Sequence, residues 1–306
     1  MIIEKLRDEI INELENIWAR EEIEKYINQL RNKNEEMLRQ LQKENSNIPN
    51  RSDERNLEIE TQDLLDLYLN YYFRRIPVKK YKVKVSKKIE NLVDNVCKST
   101  IANIKNDLEK GKDINARVSR GILKFESNDK MLNRWGLYHL HLGNKMEKDG
   151  FIQRTGKLLI IYVNKYKNIV YFLAVAPGHG KSYPDTFIDS EYLKTLVENW
   201  KEVREELECE GITGIGPEMT DEDMKKILKY SNVNLLVVKI DDAMITPPGL
   251  GTAMDGSSGE VGCLSQYIIK KCKALEKDYG NKLGIEISQN SLFLVNGNQK
   301  VWSVDI

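Results

Sequence analysis

The sequence predicts an α+β protein, with a helical N-terminal region followed by a mixed domain with a central antiparallel sheet. Through the first part of the chain, apolar residues recur every three or four positions, which is typical of amphipathic helices. After about residue 132 the pattern changes to short apolar runs separated by polar turns, which is typical of strands. We therefore expect a helical region over 1–130 and an α+β domain over 131–306.

The composition is that of a globular protein and excludes several classes. The chain has 306 residues with 47 basic and 47 acidic side chains, so it is long enough for a sizeable core and has no net charge. No apolar run approaches the about 20 residues that cross a bilayer, and acidic residues interrupt the first apolar stretch. Four scattered cysteines argue against a disulfide scaffold. We expect a cytoplasmic protein with no membrane partner.

The N-terminal region begins with a coiled-coil-like pattern over 1–42. Its apolar stripe runs from Ile3 to Leu41 without an interrupting Gly or Pro. Because such a stripe needs a covering surface, we expect it to pack on the protein, to form a homo-oligomer or to bind another protein. The rest of the region is predicted to contain a polar linker over 43–56 and two helices, over 58–73 and 87–109. Gly111 is placed to end the last helix.

The C-terminal domain is predicted to contain an antiparallel meander of three apolar strands, 138–142, 158–163 and 169–175. The elements predicted after the meander are helices over 189–207, 220–229 and 261–279, a strand over 235–240, a Gly/Ser loop over 247–262 and a hairpin over 291–304. The Gly/Ser loop is interpreted as a surface loop, with an anion cradle as the alternative.

A basic segment from Arg74 to Lys88 contains no acidic residue. Six of its side chains are candidate nucleic-acid contacts: Arg74, Arg75, Lys79, Lys80, Lys82 and Lys84. The alternative is a solvated edge strand, since Tyr81, Val83 and Val85 alternate with the lysines and edge lysines prevent strand pairing between molecules.

All three histidines of the chain lie close together in the sequence. His139 and His141 are two residues apart, so on a strand they point to the same face, and His179 follows the third strand of the meander. Two cations and a phenol lie nearby in the same stretch: Arg154, Lys181 and Tyr183.

Three interpretations of this histidine set remain open. RNA cleavage without a metal needs a base for the ribose 2′-OH, an acid for the leaving 5′-oxygen and cations at the phosphorus, and these side chains supply all three. A His-x-His strand with a distant histidine is also the pattern of a metal site, formed by His139, His141 and His179. In the third interpretation, the histidines are structural.

Residues 176–182, Ala-Pro-Gly-His-Gly-Lys-Ser, have much of a phosphate-binding loop. Two features argue against that function. Val175 stands where the motif requires Gly, and Pro184 follows where a helix should begin. No cofactor is therefore predicted.

The stretch from Tyr138 to Tyr183 resembles the core of the RelE/ParE-type toxins, a family of small ribonuclease-fold proteins. The resemblance lies in the order of a short strand with polar residues, an apolar strand opened by Arg154, a tight turn, and an apolar strand that runs into Gly-His-Gly-Lys-Ser-Tyr. The resemblance implies that Arg154, His179, Lys181 and Tyr183 act on RNA phosphates.

The sequence thus favours a nucleic-acid-directed protein, a metal-independent endoribonuclease of toxin or phage-defence type whose partner is RNA. The predicted roles are base and orienting group for His139 and His141, phosphate binding for Arg154 and Lys181, and acid for His179 and Tyr183. The first alternative is a non-catalytic helical assembly protein, and the second is a metal-dependent or nucleotide-binding enzyme. Convergence of the three histidines on one cleft distinguishes a site from a structural role.

Overall fold

The computed structural model describes residues 1–45, 52–124, 127–212, 222–223, 226, 237–252, 257–288 and 291–305. The described helices are α1 (Ile2–Glu15), α2 (Arg20–Glu44), α3 (Asp53–Phe73), α4 (Lys87–Glu90), α5 (Asn95–Lys110), α6 (Lys130–Trp135), α7 (Glu191–Asn199), α8 (Lys201–Leu207) and α9 (Gly259–Tyr279). The described strands are β1 (Lys82–Val85), β2 (Leu137–His141), β3 (Leu158–Asn164), β4 (Ile169–Ala176), β5 (Val238–Ile240), β6 (Ala243–Ile245), β7 (Leu283–Ser288), β8 (Ser291–Asn296) and β9 (Gln299–Asp305). The predicted α+β class is confirmed.

The chain forms two compact units that differ from the predicted division near residue 130. The first unit is Met1–Phe73 together with Val261–Ile306, and the second is Arg74–Glu260. The difference arises because β7, at the C-terminal end of the chain, packs against α1, while β1, α4 and α5 pack with the central sheet. Hydrophobic periodicity identifies helices, but it does not show which helices share a core.

In the first unit, the predicted N-terminal helix is two helices, because the chain turns between Glu15 and Arg20. Packing covers most of the apolar stripe, since α1 contacts α3 and β7, and α2 contacts α3. Near the end of α2, Met37 and Leu41 remain 43% and 40% exposed. A protein partner or second copy on 1–42 stays a prediction, and these two side chains are the exposed end of the stripe.

The first unit also contains a three-stranded antiparallel sheet in the order β7-β8-β9. The predicted hairpin over 291–304 is confirmed as β8 and β9. Gly297 has a positive φ of 59° in its two-residue turn, a backbone conformation that favours glycine. The first strand of this sheet, β7, was not predicted.

The second unit is built on a four-stranded sheet in the order β1-β4-β3-β2. The strands β2, β3 and β4 form the predicted antiparallel meander, and β1 joins β4 in parallel. Both faces of the sheet are buried, which explains the continuous apolar runs in β3 and β4. Ile161 and Phe172 face the layer that contains α5, whereas Ile160 and Tyr171 face the layer that contains α7.

Local capping sets the helix boundaries in this unit. The predicted helix over 87–109 is divided into α4 and α5, because Ser86 caps the first and Asp94 caps the second. Gly111 ends α5 in the left-handed conformation with φ 74°, as predicted.

Several sequence predictions fall outside the described residues. They are positions 46–51 of the linker over 43–56, nearly all of the helix over 220–229, positions 235–236 of the strand over 235–240, and positions 253–256 of the Gly/Ser loop. The linker ends earlier than predicted, because α3 begins at Asp53. Of the helices that the structure describes, none combines the length and apolar character needed to cross a membrane.

Candidate functional site

β2 brings two histidines into the core of the second unit. His139 is paired with Ile160 and His141 with Leu158 on β3, so both imidazoles lie on the same face of the sheet, as predicted. Both are almost fully buried, with 5% and 3% of their surface exposed. A buried polar side chain needs a partner or a function, because its desolvation is costly.

The helix that precedes β2 positions a carboxylate beside the first histidine. Asp129 caps α6, and its Oδ1 accepts hydrogen bonds from the backbone N–H groups of Met131 and Leu132 at 3.1 and 3.0 Å. Gly136 ends the helix in the left-handed conformation and leads directly into β2. With Oδ1 held by the cap, Oδ2 of Asp129 lies 3.5 Å from Nδ1 of His139.

The loop between β4 and α7 carries the third histidine, His179. Two hydrogen bonds anchor this loop. The Thr186 hydroxyl donates to the Gly178 carbonyl at 2.6 Å, and the buried Trp135 indole donates to the Phe187 carbonyl at 3.1 Å. Trp135 belongs to α6, so the same short helix supports both β2 and the loop.

The three imidazoles converge. The ring centres of His139 and His141 are 6.2 Å apart, those of His139 and His179 are 6.0 Å apart, and those of His141 and His179 are 6.1 Å apart. Phe187 packs against two of them, with its ring centre 4.9 Å from that of His139 and 5.2 Å from that of His179. We call His139, His141 and His179 the histidine cluster.

Burial and mutual repulsion keep two members of the cluster uncharged. Burial, followed by the neighbouring His139 and Arg154, lowers the pKa of His141 to about 3. The same causes lower the pKa of His179, against a smaller opposing effect of Asp129. At neutral pH both rings are therefore predominantly neutral, and a negative charge brought close to them would favour their protonated forms.

The cluster also contains buried nitrogens that make no hydrogen bond. Nδ1 of His139 and both ring nitrogens of His141 have no partner within hydrogen-bonding geometry. The backbone carbonyls around His141 do have hydrogen-bond partners, since Arg117 donates to the carbonyls of His141 and Gly143 at 3.2 and 2.9 Å. Buried polar atoms without partners are uncommon in folded proteins and concentrate where function requires them.

A cavity of about 250 Å³ opens beside the cluster. His139 and His179 line it, whereas His141 does not. Its other lining residues are Arg74, Ser119, Gly121, Ile122, Ser127, Asn128, Asp129, Lys130 and Phe187. Two histidines thus line a small cavity, and the third is not one of its lining residues.

The donor atoms do not form a metal centre. Within the described part of the chain, no group of three His, Cys, Asp or Glu side chains is placed to hold a metal ion. The alternative of a metal site at His139, His141 and His179 stays a prediction, without support from this arrangement.

The other predicted catalytic residues do not line the cavity. Arg154 is exposed, but its charge is close enough to lower the pKa of His141 and of His179. Lys181 and Tyr183 are exposed in the loop, and neither lines the cavity. The structure thus brings Arg154 near the histidines and leaves Lys181 and Tyr183 at the surface.

The residues predicted to bind nucleic acid do not lie together. Lys82 and Lys84 lie on β1, at the edge of the sheet opposite β2, whereas Arg74 lines the cavity beside His139. Arg74 is buried and donates to the carbonyls of Gly121 and Lys124 at 2.9 and 3.1 Å. Arg75 and Lys79 also donate to backbone carbonyls, those of Ile122 and Lys165. Lys84 forms an ion pair with Glu202 of α8. Lys80 and Lys82 are exposed.

The phosphate-binding loop considered in the sequence lacks the required helix. Turns follow Lys181, and the next helix, α7, begins only at Glu191. Without a helix N-terminus at Lys181, the loop cannot present successive amides to a phosphate in the usual way, in agreement with the sequence-based argument against nucleotide binding.

Sequence reasoning missed Asp129, Phe187 and the cavity residue Lys130. The short helix α6 was not predicted, and the pattern Asn-Asp before its apolar residues is the signal that could have identified Asp129 as a helix cap. No local signal indicated that its second oxygen faces a histidine ten positions later. Comparison with known proteins adds no information: no family model, no curated protein and no solved structure matches the chain significantly.

Proposed function

We propose that the histidine cluster is the general acid–base site of a metal-independent endoribonuclease, with RNA as substrate. The single observation that carries this proposal is the convergence of three imidazoles, two of which face one cavity. Two imidazoles about 6 Å apart can reach oxygens on opposite sides of one phosphorus, because each hydrogen bond spans about 2.8 Å.

His139 is the proposed base. Asp129 lies beside its Nδ1, which favours the tautomer with the proton on Nδ1 and leaves the Nε2 lone pair as the acceptor. Asp129 also compensates the positive charge that His139 gains with a proton. Asp129 contacts the histidine and the first amides of α6 and transfers no proton, so it is a positioning residue.

His179 is the proposed acid. In the reaction, the ribose 2′-oxygen loses its proton to His139 and bonds to the adjacent phosphorus. The bond from phosphorus to the 5′-oxygen breaks, and His179 gives that oxygen a proton. The products are a 2′,3′-cyclic phosphate and a 5′-hydroxyl, and one proton has passed from one histidine to the other. The bound phosphate's negative charge favours the protonated form of His179, which burial and Arg154 otherwise disfavour.

The test uses the full chain and single-stranded RNA in the presence of a chelator. We expect cleavage that leaves 2′,3′-cyclic phosphate ends and that stops at a position where the substrate carries a single 2′-deoxyribose. Cleavage at the deoxy position would contradict the mechanism, and no cleavage of any RNA tested would contradict the function. One equivalent of a transition metal in the purified protein, lost in His139→Ala, would favour a metalloenzyme instead.

A further inference from the structure

The residues that line the cavity beside the histidine cluster are not the ones predicted to bind phosphate. Sequence analysis assigned phosphate binding to Arg154 and Lys181, but neither is a lining residue. The cations that do line the cavity are Arg74 and Lys130. The charge of the cavity therefore comes from a segment before the sheet and from the first residue of α6.

The one acidic lining residue is Asp129. Both oxygens of Asp129 face groups of the protein, Oδ1 the amides at the start of α6 and Oδ2 the ring of His139. The guanidinium of Arg74 is held in place by the carbonyls of Gly121 and Lys124. The lining thus holds two cations and one carboxylate, an excess of positive charge that favours an anion.

Two serine hydroxyls complete the lining. The Oγ of Ser119 accepts a hydrogen bond from the Gly121 amide at 3.2 Å, so its own hydrogen can be donated to a ligand. Gly121 lies between the two hydroxyls, because a Cβ on it would be 2.7 Å from Oγ of Ser127 and 3.3 Å from Oγ of Ser119. The absence of a side chain at Gly121 keeps both hydroxyls in their positions.

We propose that this cavity binds one phosphate group of a single-stranded nucleic acid, between Lys130, Arg74 and the two serines on one side and His139 and His179 on the other. A space of about 250 Å³ is just below the range of about 300–1,000 Å³ for drug-sized ligand pockets. It accommodates a phosphate with its sugar and excludes a base-paired duplex. The inference rests on the proposed function for its choice of nucleic acid as the source of the phosphate.

The experiment reads binding without turnover and uses the three histidines as reporters. Because the chain has three histidines, their imidazole signals can be assigned by NMR from single His→Gln variants. The full chain is titrated with inorganic phosphate, and separately with a short single-stranded oligodeoxynucleotide, which lacks the 2′-OH and is not cleaved. We expect saturable shifts of the His139 and His179 signals, with a smaller shift of the His141 signal, and no comparable effect of the same oligonucleotide as a duplex.

Three substitutions locate the phosphate. Lys130→Ala should weaken phosphate binding about tenfold, as expected for a lost charge-assisted hydrogen bond. Gly121→Ala should weaken it by displacing both hydroxyls while leaving every charge unchanged. Lys98→Ala is the matched control, since it removes one exposed positive charge of the same unit outside the cavity, and it should leave the affinity within about twofold.

The outcomes separate this inference from the proposed function. Phosphate binding weakened by Lys181→Ala but not by Lys130→Ala would overturn the cavity site and favour the loop. Absence of saturable shifts in a protein that cleaves RNA would overturn the cavity site and leave the function standing. Binding of phosphate and single strand in a protein that cleaves no RNA would support the cavity site and contradict the function.

Discussion

The histidine cluster and the basic edge occupy opposite edges of one four-stranded sheet, and the sequence marked both as candidate sites. At the basic edge, formed by Lys79, Lys80, Lys82 and Lys84, the fold itself uses two of the charges, since Lys79 donates to the carbonyl of Lys165 and Lys84 pairs with Glu202. At the cluster, buried nitrogens of His139 and His141 have no hydrogen-bond partner.

This difference shows why charge density alone is a weak sign of function. A lysine ammonium that holds a carbonyl or a carboxylate stabilises the fold and has less to offer a ligand. A buried imidazole without a partner destabilises the fold, and it persists where another requirement outweighs that cost. We therefore place the chemistry at the cluster.

The largest expected effect is on His139. The substitution His139→Ala should reduce RNA cleavage by about 10²–10⁴-fold, because it removes the proposed base. Initial rates on a single-stranded RNA measure the loss, and circular dichroism checks the fold. A fully active, folded His139→Ala protein would leave the basic edge as the better candidate.

The substitution His179→Ala should reduce cleavage by about 10²-fold, since it removes the proposed acid. The residue lies in a loop and is partly exposed, so the free energy of unfolding should change by less than about 1 kcal/mol. Rates and a urea titration of the same preparation separate the two effects. A large loss of stability with an unchanged rate would make His179 structural.

The substitution Asp129→Asn should reduce cleavage by about 10–100-fold, as for other groups that orient a functional histidine. Asn caps helices as well as Asp does, so α6 should remain intact. A purely structural role of Asp129 would leave the tautomer of His139 unchanged. In the variant we expect the ring proton of His139 to shift from Nδ1 toward Nε2, as measured by ¹⁵N NMR at pH 8. An unchanged tautomer with reduced activity would contradict the positioning role.

The substitution His141→Phe should raise stability at low pH while activity falls. The pKa of His141 is lowered from 6.5 to about 3, so between these values the unfolded chain binds one more proton than the folded chain. The protein therefore loses stability as the pH falls through that window, with a slope from this group of up to about 1.4 kcal/mol per pH unit. Urea titrations of both proteins from pH 7 to pH 4 should show a shallower loss for the variant. Parallel curves would show that His141 titrates normally.

The smallest expected effect is at the basic edge. Replacing the exposed Lys80 and Lys82 together by Ala should change the cleavage rate by less than about twofold at physiological salt, because salt screens distant surface charges. The salt dependence of RNA binding is measured alongside. A flatter dependence and a loss of tenfold or more would restore the basic segment as an RNA contact.

Much of the local structure follows from the sequence. Apolar runs identified the strands of the meander, Gly111 marked the end of α5, and the spacing of His139 and His141 placed both on one face. These features depend on backbone periodicity and on conformations that few residues adopt, so neighbours in the sequence determine them.

Only the tertiary structure decided which distant groups meet. The approach of His179 to β2, the second oxygen of Asp129 at His139, and the pairing of Lys84 with Glu202 each depend on how helices and loops pack on the sheet. The same holds for the division into units, since β7 packs with α1 at the other end of the chain. The local sequence pattern determines which face of a strand or helix a side chain occupies. Close packing of the whole core determines what that face contacts.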